Sequence, residues 1–429
     1  MSTRYQNSEA LLERALRTIP LGSQTFSKSK TQYPFGVSPY FITKARGSHV
    51  WDVDGNEYVD FNNSLASITL GYADPDVDAA VRAQLDAGVI FPLPHPLEMQ
   101  VAEKIVAMVP CAEMVRFGKN GSDATAGSIR LARAYTGRDR VAVCGYHGWQ
   151  DWYIGSTARN RGVPRAVREL THSFPYNDLP ALDALLKAHA GEFAAVMLEP
   201  MNMVHPAPGY LAELKELTHR HGALLVFDET ITGFRYAKGG AQEFFGITPD
   251  LATFGKGLAN GYPLSAVVGR AEIMGLMEEI FFSFTFGGET LSLAAALATL
   301  TKLETAPVIE AFWNRGAKIM QALAGLIDKH GLAEVCNVSG NAPWTFFVIN
   351  DMPPYTSWQL KTLYLQEMFA RGILTLGSHN MSYAHGDEDV ERLLDAYDEV
   401  LALLKEVTGN GSLARHLKCQ PLEPLFKVR

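Results

Sequence analysis

Leu224-Leu225-Val226-Phe227-Asp228-Glu229 is an unbroken apolar run ending in two carboxylates, and Thr253-Phe254-Gly255-Lys256-Gly257 follows it, placing Lys256 28 residues after Asp228. An apolar run without alternation predicts a central parallel strand covered on both faces. Acidic residues at its carboxyl end stand where open α/β sheets bind their ligands. The stretch therefore predicts an α/β fold whose site gathers around Asp228.

A lysine and a carboxylate so placed suit one well-defined chemistry. Pyridoxal 5'-phosphate (PLP) is held as a Schiff base by a lysine, while an aspartate keeps the pyridinium nitrogen protonated so that the ring acts as an electron sink. The same residues admit a plainer reading, in which Lys256 is a solvated turn residue and the strand-end Asp-Glu pair caps a helix. Two neighbouring stretches bear on the choice. Lys119-Asn120-Gly121-Ser122-Asp123-Ala124 opens a segment rich in Ala, Leu and Arg that predicts a helix to Tyr135. Backbone N–H groups at its start, with the Ser122 hydroxyl beside Gly121, would cup a phosphate without a cationic side chain, or would simply begin a capped helix. Val141 to Cys144 reads as a short strand, and Gly145-Tyr146-His147-Gly148-Trp149 follows as an aromatic turn. That turn can cover a flat cofactor or pack into a core.

Taken in order, "NGSDA", "YHGW", "LEP", "FDETITGFR", "FGKGLANGYPLSAVVG" and "FTFGGETLSLAAALATL" resemble the class III PLP aminotransferases of fold type I, and the resemblance runs from Gly47 to Leu401. It implies a large domain with a mainly parallel seven-stranded sheet (residues 71–310). A small α+β domain is then built from both chain ends (1–70 and 311–429). Carried over by position, the resemblance makes Lys256 the Schiff-base lysine and Asp228 the partner of the ring nitrogen. Gly121 and Ser122 bind the phosphate, Tyr146 stacks on the ring, and Glu199 and Asn202 lie near the cofactor. Thr285 corresponds to a threonine that reaches the phosphate of the neighbouring subunit, which implies a homodimer with shared active sites.

Within the family the sequence is similar to the glutamate-1-semialdehyde aminomutase group, with departures. Ser122-Asp123 stands where Thr-Glu is usual, and Thr230 where a valine packs on the ring. Lys28 takes the place of an arginine that clamps the substrate carboxylate, and Gly287-Gly288-Glu289-Thr290 replaces "SGNP". Lysine gives a point charge where arginine gives a bidentate fork, so the exchange argues against aminomutase chemistry. Phe91 to Ile105 and Tyr146 to Pro164 look like members that aminate keto or aldehyde sugars. Trp149, Gln150, Asp151, Trp152 and Tyr153 would suit a sugar, with its apolar face and rim of hydroxyls, or else serve core or interface packing. The implied reaction moves an amino group from an amino acid donor, L-glutamate, to a carbonyl sugar or sugar acid, with 8-amino-3,8-dideoxy-octulosonate formation for lipopolysaccharide as the leading case. Glutamate-1-semialdehyde 2,1-aminomutase and an inactive scaffold of the same fold are the alternatives.

Composition is compatible with a large globular enzyme: 429 residues, 47% hydrophobic, formal charge −8. No broad basic face is expected, so nucleic acid is an unsuited partner. Cys111, Cys144, Cys336 and Cys419 lack pair spacing, which points to reduced cysteines and a cytoplasmic setting. No apolar stretch reaches spanning length, and the charged N-terminal segment reads as an amphipathic helix instead of a signal peptide. His147, His205, His221, His379 and His385 show no metal-ligand spacing, so no metal is expected.

Overall fold

The computed structural model describes residues 3–423. The described residues divide into two compact units, one formed by residues 3–74 together with 310–423, the other by Pro75–Ile309.

The Pro75–Ile309 unit is built on seven strands: β1 (Met114–Gly118), β2 (Arg140–Cys144), β3 (Thr171–Ser173), β4 (Phe193–Leu198), β5 (Leu224–Asp228), β6 (Leu251–Phe254) and β7 (Ser265–Gly269). They lie in the order β1-β7-β6-β5-β4-β2-β3. Strands β2 to β6 run parallel to one another, and β7 is antiparallel to both β6 and β1. Every residue of β4, β5, β6 and β7 is buried. With both faces covered, apolar side chains fill both sides of these strands, which is why the runs do not alternate. Edge strand β1 does alternate between exposed and covered positions.

Helix α1 (Gly121–Thr136) starts where Asn120 and Asp123 cap each other's backbone N–H groups, and ends at Gly137 in the left-handed region. Its Ile129, Leu131 and Ala132 join Val143, Met197, Val226 and Val267 in one buried cluster. Burying each large aliphatic side chain of that cluster contributes roughly 1.5–3 kcal/mol. Strand order then creates the place for a site. The chain leaves β2 outward to the edge strand β3, returns to β4, and proceeds the other way through β5 and β6. Neighbours β2 and β4 thus send their onward connections in opposite directions, and a crevice opens beyond their carboxyl ends.

The other unit holds a four-stranded sheet (Ile42–Arg46, His49–Asp52, Glu57–Asp60, Ile373–Leu374) and a three-stranded antiparallel sheet (Cys336–Asn341, Trp344–Ile349, Ser378–Asn380). The two ends of the chain meet there, since Ile373 pairs in parallel with Val59. Among the described residues no helix is long and apolar enough to cross a membrane.

Candidate active site

Asp228 ends β5 with 4% of its surface exposed, and its two oxygens are differently supplied. Oδ1 accepts hydrogen bonds from Thr230 N (3.1 Å), Thr230 Oγ1 (2.5 Å) and Thr253 Oγ1 (3.1 Å). Oδ2 accepts from His147 Nδ1 at 2.8 Å. Burial by itself pushes the carboxyl toward its neutral form, but the bonds from His147 and Thr230 outweigh it and hold the pKa below the ordinary aspartate value. The group is therefore an ionised carboxylate in a dry setting. Glu229, next in the chain, has the opposite fate. Its carboxylate accepts from Ala241 N (2.6 Å), Gln242 N (2.9 Å) and Thr232 Oγ1 (2.8 Å), and burial raises its pKa. The helix-capping reading holds for Glu229.

Three chain segments converge on Thr230. A Cβ placed on Gly121 would stand 3.0 Å from Thr230 Cγ2, and one placed on Gly255 would stand 3.4 Å from the same methyl and 3.8 Å from Gly121 Cα. The start of α1, the end of β5 and the lysine turn after β6 thus share one neighbourhood. Lys256 is partly buried and has φ 42°, in the left-handed region that non-glycine residues occupy at a cost of order 1 kcal/mol or more.

At the start of α1, Asp123 N is taken by the Asn120 side chain, while the first-turn amides of Gly121 and Ser122 have no intrahelical acceptor. Ser122 Oγ accepts from Trp149 N at 3.2 Å, so its own proton is available to an anion. The turn carrying Trp149 lies over it because Gly148 has φ 107° and no Cβ, which would collide with Ser122 Oγ. Tyr146 keeps 36% of its surface exposed, and its ring meets Tyr153 edge-on at 5.7 Å. Glu199, past the end of β4, accepts from Tyr146 N (3.1 Å) and Asn202 Nδ2 (3.0 Å). The structure therefore gathers Gly121, Ser122, Tyr146, Glu199, Asn202, Asp228 and Lys256 around the strand ends. Thr285 stands apart, exposed on the loop before helix α2 (Thr290–Thr305).

At the switch point a cavity of about 540 Å³ opens, lined among others by Gly145, Tyr153, Ser156, Phe174, Tyr176 and Glu199. Among the described residues its wall contains no lysine or arginine. The aromatic run expected to face a sugar is split by the fold. Trp152 is 8% exposed and packs in the core cluster, whereas Trp149 is 67% exposed, and only Tyr153 lines the cavity. Trp152 and Tyr153 lie buried on a short helix (Asp151–Ile154), whereas Trp149 stands on the turn before it.

Two participants escaped the reading of the sequence. The sequence places His147 in an aromatic turn without metal-ligand spacing, yet it donates to Asp228. Thr253 pairs in register with Asp228 across β5 and β6, and a hydroxyl inside the apolar run Leu251–Phe254 was the available signal.

Residues 32–384 match the class-III aminotransferases, and the chain belongs to that family. It is 34% identical to 3-aminobutyryl-CoA aminotransferase of Cloacimonas acidaminovorans over 411 residues, covering 93% of this chain and 98% of that protein. It is 35% identical to a glutamate-1-semialdehyde 2,1-aminomutase of Syntrophobacter fumaroxidans, with 93% and 98% covered. The PLP form of the FumI protein of Sphingopyxis sp. MTA144 superimposes with a TM-score of 0.88 at 30% identity, covering 98% of this chain and 99% of that one. The protein is thus a PLP-dependent aminotransferase of fold type I, and the scaffold alternative falls away. Its residues fit the cofactor: an ionised buried carboxylate whose Oδ2 has one protein donor, a helix start with two amides to offer a phosphate, and an exposed aromatic ring beside them.

Proposed function

We propose that Lys256 carries PLP as a Schiff base and that Asp228 faces its ring nitrogen. Gly121 and Ser122 hold the phosphate, Tyr146 covers the ring, Glu199 and Asn202 lie beside it, and Thr285 completes the phosphate site of a second copy in a homodimer. When bound, PLP supplies an electron sink that lets a proton leave the substrate carbon. Once the substrate's amino group had taken its place on the cofactor, the freed Lys256 amine would take up that proton and return it, a role that suits an amine partly withdrawn from water. Asp228, kept ionised by His147 and Thr230, holds the proton of the ring nitrogen. Glu199 fixes the Tyr146 backbone and so sets where the ring cover sits.

The substrates in this reading are L-glutamate as donor and a keto or aldehyde sugar as acceptor, with formation of 8-amino-3,8-dideoxy-octulosonate for lipopolysaccharide as the first case to examine. The observation that carries the acceptor is the cavity beside Glu199. Its wall offers hydroxyls of Ser156, Thr157, Ser173 and Tyr176, the Asn202 amide and a carboxylate, alongside apolar Phe174 and Met203, and no cation. Such a surface matches the hydroxyls of a polyol chain.

The test loads the enzyme in its pyridoxamine form and offers a panel of keto and aldehyde sugars beside small keto acids. Amination of the sugars, with 2-oxoglutarate released from glutamate in the reverse half, is the expected result. Conversion of glutamate 1-semialdehyde without any separate donor would replace this proposal with the aminomutase.

A further inference from the structure

The loop that carries Thr285 is fastened to the strand and helix that build the phosphate turn of its own chain. Arg116 on β1 donates from Nη2 to the Phe282 carbonyl at 3.3 Å, and Arg130 on α1 donates from Nη1 to the Phe281 carbonyl at 2.6 Å. At the loop's far end Lys119 Nζ donates to Glu289 Oε2 at 3.0 Å. Between these ties two turns close the loop on itself, with Gly287 N donating to the Phe284 carbonyl (3.1 Å) and Glu289 N to the Phe286 carbonyl (3.2 Å). Thr285 lies inside the first turn and is exposed, as are Phe281 and Phe286 on either side of it.

Lys119 immediately precedes Asn120-Gly121-Ser122, where a cation would suit the chain's own phosphate, yet its ammonium is engaged by Glu289. Glu289 caps α2, accepting from Leu291 N (2.7 Å), Ser292 N (3.2 Å) and Ser292 Oγ (2.6 Å), and that cap would be complete without the lysine. Burial favours the neutral form of Glu289, but the bonds from Ser292, Lys119 and Leu291 outweigh it and hold its pKa below the ordinary glutamate value. With 20% and 14% of their side chains exposed, Lys119 and Glu289 are largely shielded from the water and salt that make most surface ion pairs worth little. We propose that Lys119 and Glu289 are positioning residues that act in trans: they set the place of Thr285, and so serve the cofactor phosphate of the second copy instead of that of their own chain. The inference rests on the reading of Thr285 as the residue that completes the neighbour's phosphate site. A hydrogen bond weakens steeply outside a narrow range of distance and angle, so a loop released at Glu289 loses much of what its hydroxyl gives to a phosphate. The exposed rings of Phe281 and Phe286 flank that hydroxyl and offer the second copy an apolar surface to cover.

The test uses a mixed dimer of two differently tagged full-length chains, one wild type and one Lys119→Met, loaded with PLP. After dialysis against buffer without PLP, borohydride reduces the remaining Schiff base and fixes the cofactor to Lys256, and mass spectrometry counts it on each chain. The Lys119→Met chain presents its Thr285 loop poorly to its neighbour, so a loss of roughly tenfold in retention should fall on the wild-type chain, while the variant chain keeps its cofactor. Glu289→Gln, which retains a capping oxygen, should give the same asymmetry, and Lys119→Arg should restore retention on both chains. Loss confined to the Lys119→Met chain would make Lys119 a ligand of its own phosphate turn and overturn the inference, as would equal loss from both chains or no loss from either. Thr285→Ala in the same mixed dimer separates the two levels of the argument. If it strips the wild-type chain while Lys119→Met does not, the shared phosphate site stands and only the role of the ion pair falls. If it leaves the wild-type chain's cofactor in place, the shared site falls and the inference with it.

Discussion

Replacing His147 by Phe separates what the Asp228 carboxylate owes to its partner from what burial does to it. His147 is 1% exposed and lies edge-on to Tyr153 at 5.3 Å, so a phenyl ring keeps most of the packing while deleting the 2.8 Å bond to Asp228 Oδ2 and, as a pH-independent loss, the 3.2 Å bond from Nε2 to the Cys144 carbonyl. The lost charge-assisted bond is worth about 1.5–3 kcal/mol, and the bulkier ring adds a strain of roughly 1–3 kcal/mol that does not depend on pH. In the wild type the Asp228 pKa is lowered, so the group contributes stability above its unfolded value, near 3.9, and loses it as pH falls through the folded value. Without His147, burial is opposed by the Thr230 bonds, so the pKa rises from its wild-type position and ionisation becomes more costly at neutral pH. The stability gap between wild type and variant should therefore be smallest in acid and widen toward neutrality by about 1.5–3 kcal/mol, or roughly 10- to 150-fold in the folded-to-unfolded ratio. Urea midpoints of the cofactor-free proteins across pH read this directly. In an Asp228→Asn background the pH-dependent part should vanish. A gap that stays flat with pH, or that persists unchanged in that background, would refute the reasoning.

Lys256→Ala should lower turnover by several orders of magnitude in a coupled transamination assay while far-UV circular dichroism stays native, because the anchor and the proton carrier are removed together. Ser122→Ala should weaken PLP retention roughly tenfold to a hundredfold, measured by dialysis and fluorescence, as expected for one hydroxyl on a phosphate. Thr285→Ala should cost a comparable amount only if the chain assembles, and dilution below the dimer's dissociation constant should release PLP from the wild type, followed by sedimentation. Thr157→Arg places a cation in the cavity beside Glu199 and should shift acceptor preference from neutral sugars toward carboxylated aldehydes, read as a change in the ratio of kcat/KM values.

Much of the fold is local in origin, and that part was legible in the sequence. The uninterrupted apolar runs at Ala195–Leu198 and Leu224–Phe227 state that both faces of those strands are covered, and Asn120 with Asp123 states where a helix begins. Gly121-Ser122 and Gly255-Lys256 were singled out because residue type and near neighbours alone limit what such turns can do. Strand order, by contrast, is not written in any one segment. His147 and Asp228 are 81 residues apart and touch because β2, β4 and β5 lie side by side, so that the turn after β2 reaches across the end of β4. Which member of Asp228-Glu229 faces the site was equally hidden: successive side chains at a strand end point to opposite sides, and the choice falls to whichever side holds His147 and Thr253 and whichever holds the start of the Ala241 helix. Trp149 and Trp152 look alike in sequence, yet one is in solvent and the other in the core, because burial depends on what packs against a residue and not on its own chemistry. The sequence by itself determined the chemical groups and the elements that carry them. The tertiary structure decided which groups meet, since hydrogen bonds and burial act between neighbours in space, and spatial neighbours are set by the order of the strands.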